Sequence, residues 1–82
     1  GGIYPNPITH QFIIPIKMES KKTINIEIYN IMGNKVQAFV PRKMQTGNHL
    51  VLCDLDLSSG QYFVSIKSEH ETLSTQKIIV VK

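Results

Sequence analysis

The chain has 82 residues and a net charge of +3, nine Lys and Arg against six Asp and Glu, with a single cysteine. That length suits one domain, a lone cysteine excludes an intramolecular disulfide, and the scattered lysines lack the clustered footprint of a nucleic-acid binder. No apolar run approaches the ~20 residues of a membrane-spanning helix, and no signal peptide opens the chain, so an exported protein is expected to carry its targeting signal upstream.

The first recognisable stretch is "YPNP", Tyr4, Pro5, Asn6 and Pro7. Each proline lacks an N–H, fixes φ near −65° and pushes the preceding residue toward extended geometry. Residues 1–3 are read as a linker remnant and residues 4–82 as the domain. "HQFIIPIK", residues 10–17, places Phe12, Ile14 and Ile16 on one side of a strand, and Pro15 assigns that strand to a sheet edge. "KTINIEIYN", residues 22–30, alternates with Ile24, Ile26 and Ile28 on one face. "MGNK" follows as a hairpin turn, with Gly33 supplying a conformation that a Cβ would oppose.

"KVQAFVP" reads as a second strand ending at Pro41, and "RKMQTGN", residues 42–48, as a polar loop. "HLVLCDL", residues 49–55, is apolar enough for a strand buried on both sides. "DLSSG" is a turn in which Gly60 is expected to adopt a special conformation and Leu57 to plug one end of the core. "QYFVSIKS" alternates with Tyr62, Val64 and Ile66 together, "EHET" is a charged turn, and "LSTQKIIVVK", residues 73–82, closes the chain as a strand. Six strands result, seven if residues 2–5 pair, with turns every ~8–12 residues. The fold class is all-β, an antiparallel β-sandwich.

No catalytic or metal-binding constellation emerges. Cys53 with His10, His49 or His70 would supply a nucleophile and a base, yet Cys53 lies in an apolar strand, where free cysteine behaves as a small hydrophobe. His49 and Cys53 share a strand face, but a structural zinc site needs four ligands, and Asp54 and Asp56 fall on the other face. Two acids without a glycine-bracketed loop are too few for calcium. Tyr29 and Tyr62 are expected to pack on the sandwich with their hydroxyls at its rim. The expectation is a non-enzymatic domain without cofactors.

Four stretches in order, "YPNP" at 4–7, "IEIYNIMGNKV" at 26–36, "LDLSSGQYFVSI" at 55–66 and "TQKIIVVK" at 75–82, together resemble the C-terminal sorting domain, type A, of the type IX (Por) secretion system of Bacteroidetes. The resemblance spans essentially the whole chain. It implies an Ig-like sandwich of about seven strands that serves as an export address for an upstream cargo domain in the same chain. It further implies recognition in the periplasm by the outer-membrane translocon. It implies, too, that the domain is usually removed by a sortase-type cysteine peptidase and that the cargo ends at the outer membrane, at the cell surface or in the medium.

The last strand invites a recognition reading. Ile78 and Val80 face one way and Ile79 and Val81 the other, between Lys77 and Lys82. Such a strand at a chain end is suited to edge pairing with a receptor or, weakly, with a second copy. The alternatives are a retained domain of the secretion machinery or sortase complex and an adhesive or carbohydrate-binding module, which would need exposed aromatics or a calcium loop.

Overall fold

A computed structural model describes residues 2–82 and turns the period-two alternation into seven strands. These are β1 Gln11–Met18, β2 Lys22–Asn30, β3 Lys35–Ala38, β4 Arg42–Met44, β5 Gly47–Asp54, β6 Gly60–Lys67 and β7 Thr72–Val80. One sheet contains β1 and β5. The other runs β3-β2-β6-β7, with β4 also paired to β2. All strand pairings are antiparallel. The fold is therefore the all-β sandwich that the alternation predicts.

The core is a single cluster drawn from both sheets. Phe12, Ile14, Ile16 and Met18 of β1, with Val51 and Cys53 of β5, face Ile24, Ile26 and Ile28 of β2, Tyr62, Val64 and Ile66 of β6, and Ile78 and Val80 of β7. Phe39 and Leu57 are partly buried against it, and Phe39 meets Phe12 edge to face at 6.4 Å.

Three expectations need correction. Residues 42–48 read as a loop, but Arg42–Met44 forms β4, which covers the Lys22–Ile24 half of β2 while β3 covers Glu27–Tyr29. A single apolar residue decides this: Met44 is buried in the core, and its polar neighbours hide the pattern. The seventh strand is therefore β4, whereas residues 2–5 contribute only the Tyr4–Ile13 bridge. Strand β5 is not buried on both sides, since Leu50 is 70% and Leu52 56% exposed.

The third correction concerns the turns. Gly33 has φ +84° and closes the β2–β3 hairpin, its N–H donating to the Asn30 carbonyl at 3.0 Å while the Asn30 side chain accepts from the N–H groups of Met32 and Asn34. Gly60 has no positive φ; Gly47, at +126°, is the other glycine that does. A Cβ on Gly60 would stand 3.4 Å from the Tyr62 ring, close to ordinary contact.

Gly33→Ala is accordingly expected to lower stability by ~1–2 kcal/mol, the cost of holding an L-residue in the left-handed region. Gly60→Ala is expected to shift it by less than ~1 kcal/mol. Urea unfolding of the two variants checks the contrast, and equal losses would contradict it.

Candidate recognition site

The four motif stretches are far apart in sequence and converge at one end of the sandwich. The chain enters along the edge of β1, where Tyr4 and Ile13 exchange both backbone hydrogen bonds at 3.1 and 2.8 Å. It then crosses to the other sheet. Ile8, fully buried, donates its N–H to the Ile79 carbonyl at 2.7 Å and accepts from Val81 N–H at 2.8 Å, a parallel bridge to β7. Between these points Pro5 and Pro7 are exposed, both preceded by cis peptide bonds, and the Asn6 side chain accepts from Ile79 N–H at 3.1 Å. The bracket stitches the two sheets together.

Ile3, which the sequence assigns to the linker, is buried in the core, and its N–H donates to the Gln76 side chain at 3.0 Å. Gly1 lies outside the described residues.

The other motif residues gather around the same end. Gly60 lies opposite Val80, and Tyr62 lies between Asn30 and Ile78 across the ladder. The Tyr62 ring is buried and its hydroxyl donates to the Ser58 carbonyl at 2.8 Å, so this tyrosine ties the turn before β6 to the core. The Ser59 hydroxyl accepts from Lys82 N–H at 3.0 Å, which holds the chain beyond β7 against the same turn.

The tail divides as its alternation predicts. Ile78 and Val80 are buried, Ile79 is 43% and Val81 51% exposed, and Lys77 and Lys82 are exposed. The edge reading fails over this half of β7. The outward N–H and C=O of Ile79 and the N–H of Val81 are already bonded to Asn6 and Ile8, so a receptor strand cannot use those three groups. Sequence alone hides this, because the blocking residues precede Ile79 by more than 70 positions and one of them acts through its side chain.

A second motif residue, Tyr29, opens onto the same outer sheet face. It lies opposite Phe63, which lies opposite Lys77. Tyr29 also belongs to an ionic cluster that the sequence does not announce. Glu27 receives Lys35 Nζ at 2.9 Å, Lys67 Nζ at 2.9 Å and the Tyr29 hydroxyl at 2.8 Å, and Lys67 stands 5.2 Å from the Tyr29 ring centroid. Hydrogen bonds from Lys35, then Lys67 and Tyr29, outweigh burial and lower the Glu27 pKa from 4.5 to about 2.

Elsewhere the side chains read as structure. Cys53 is buried, and burial pushes its thiol up to about 11. His49 Nε2 lies 2.7 Å from the Gln45 carbonyl. Among the described residues no three His, Cys, Asp or Glu gather as metal ligands. A cleft of about 430 Å³ opens between Lys21, Lys22, Lys43, His70 and Glu71, at the opposite end from the motif residues.

Two outcomes are expected. Cys53 should react with a thiol reagent at mildly alkaline pH far more slowly in the native domain than in urea, and Cys53→Ala should cost ~1–2 kcal/mol as a small cavity. Glu27→Gln should cost ~1–2 kcal/mol at neutral pH, discounted because Lys35 is half exposed. The folded carboxylate titrates at about 2 and the usual value is 4.5, so this contribution is fully present above 4.5 and is lost as pH falls toward 2. Chemical unfolding of wild type and variant across that window should show the two curves converging in acid.

Residues 2–81 match the family described as secretion system C-terminal sorting domain. No curated protein and no solved structure matches the chain. The adhesive and machinery-domain alternatives are not favoured. A match over nearly every residue, on a sandwich whose four motif stretches meet at one end, settles the family: the chain belongs to the C-terminal sorting domains, the sorting signal of type IX secretion.

Proposed function

We propose that this sorting signal is read as a folded surface, with Lys77, Ile79, Val81 and Lys82 as its contact residues and Ile78 and Val80 as the buried anchors that hold them in register. The reader is the outer-membrane translocon, met in the periplasm. The observation that supports this is the tail's division: its outward side chains are exposed while both outward backbone groups of Ile79 and the N–H of Val81 are already bonded. Side chains then carry the information that an open strand edge would otherwise supply. Tyr29 and Phe63 extend the same face inward from Lys77.

The domain itself performs no reaction and takes no cofactor. Its chemistry is that of an address: an upstream cargo travels with it to the cell surface or the medium, and a sortase-type peptidase removes it. The burial of Ile3 and its hydrogen bond to Gln76 support a scissile bond upstream of Ile3.

Residues 2–82, fused behind a reporter that carries its own signal peptide in a host with the type IX system, should bring the reporter to the surface or medium. Deleting residues 77–82 would also remove Ile78 and Val80 from the core, so point variants separate recognition from folding. The Lys77→Glu, Lys82→Glu double variant and Ile79→Asp should melt within a few degrees of wild type while trapping most of the reporter in the periplasm. A wild-type fusion that stays in the periplasm would overturn the address. Full-rate export of both folded variants would leave the address standing and overturn the recognition face.

A further inference from the structure

A small sandwich must do something with its strand edges, since an open edge offers unpaired N–H and C=O groups to any passing strand. Here nearly every edge carries a guard. Strand β1 is covered by Tyr4, and Pro15, two residues beyond Ile13, turns its donor-less nitrogen to the same side. Strand β7 carries Asn6 and Ile8 over its end. Strand β3 is four residues long with a register shift in its pairing, and β4 is three. Strand β5 is different: it is eight residues long, pairs with β1 through eight positions without a shift, and has no proline or charged residue from Asn48 to Leu52.

The ladder fixes which groups are free. Ile13 spends its backbone groups on Tyr4, away from β5. In an antiparallel pair the bonding side alternates, so Phe12 and Ile14 face β5 and bond Cys53 and Val51. The N–H and C=O of Asn48, Leu50 and Leu52 therefore point off the open edge. The Asp54 carbonyl, next in that series, accepts from Gln37 Nε2 at 2.8 Å on the same side. The outer face above these groups is apolar at its middle, Ile13 opposite Leu52 and Pro15 opposite Leu50, and polar at its ends, Gln11 opposite Asp54 and Lys17 opposite Asn48.

We infer that β5 pairs antiparallel with β5 of a second copy of this chain, around a two-fold axis at Val51, giving a continuous β1-β5-β5-β1 sheet. The edge is self-complementary in this register. Leu50 meets Leu52 of the second copy and bonds it through the free backbone groups, while Asn48 stands opposite Asp54 of the second copy, whose carbonyl is already held by Gln37, so the new ladder ends there. The two central rows across the sheet are then wholly apolar and the two outer rows wholly polar. Each outer row carries Asp54 at its middle and Lys17 of the other copy at one end, two strand spacings or about 10 Å apart. Shifting the axis to Leu50 or Leu52 sets Asn48 or Asp54 against leucine instead.

The test is the mass and amide exchange of the 82-residue chain from micromolar to millimolar concentration. The expected result is a rise from one copy to two, with the amides of Leu50 and Leu52 gaining protection as concentration rises while that of Val51, already bonded to β1, does not change. Leu52→Lys should keep the chain monomeric. Leu50→Pro removes one outward donor and leaves the β1 bonds intact, and it should do the same with an unchanged circular dichroism spectrum. A chain that remains monomeric at millimolar concentration overturns the inference. So does a dimer that survives both substitutions, or one whose new protection falls on β7.

Discussion

The structure depends on one contact between the two ends of the chain. Ile8 is fully buried, and its backbone sits between Ile79 and Val81. Strand β1 pairs only with β5, and β7 only with β6, so without this contact the two sheets would be held together by side chains alone. The segment from Tyr4 to Ile8 adds main-chain bonds to both sheets and seals the gap between them. A domain this small buries a modest share of its surface, so a fully buried isoleucine with both its backbone groups satisfied is a large part of what it has.

That contact also explains why the tail cannot be understood as a loose extension. Residues 77–82 supply two core side chains, the partners of Ile8, and through Lys82 a bond to Ser59. Fold and proposed recognition face share one strand. Their separation lies in the alternation of β7: inward residues answer to packing, and outward ones are free to answer to a receptor. The outer face beside them is not inert. Glu27, pulled between Lys35 and Lys67 and bonded to Tyr29, fixes the tyrosine at the middle of that face.

Much of this was legible in the sequence, and the reasons differ by element. Strands β1, β2, β6 and β7 each place a run of alternating apolar residues in the core, and a period of two leaves little choice about which face is inward. The same logic fails for β5, where both faces are apolar, Val51 and Cys53 inward and Leu50 and Leu52 outward, and "HLVLC" reads as doubly buried although the two leucines are exposed. It fails for β4, where Met44 alone carries the signal. Gly33 is where its Gly-Asn turn puts it, whereas Gly60 has neither a positive φ nor a contact that forbids a Cβ. At the site, the inward and outward halves of the tail follow from alternation. The closure of its edge by Asn6 and Ile8 does not, because neither a parallel bridge across the whole chain nor a side-chain bond to a backbone N–H leaves any periodic trace.

The two sheets present unlike outer faces, and this bears on how recognition and self-association relate. The face of β2, β6 and β7 carries Glu27, Tyr29, Lys67, Lys77 and Ile79, a mixture of charge and isolated apolar side chains over backbone groups that are paired or capped at the motif end. The face of β1 and β5 carries Ile13, Pro15, Leu50 and Leu52 beside a β5 edge that is capped by Gln37 at Asp54 and open from Asn48 to Leu52. Side-chain recognition suits the first, strand addition the second. Because the faces belong to different sheets, a second copy added at β5 would leave Lys77, Ile79, Val81 and Lys82 uncovered. Pairing through β7 itself would not. Capping β7 with Asn6 and Ile8 thus leaves the outward side chains of Ile79 and Val81 exposed whether the domain is single or paired.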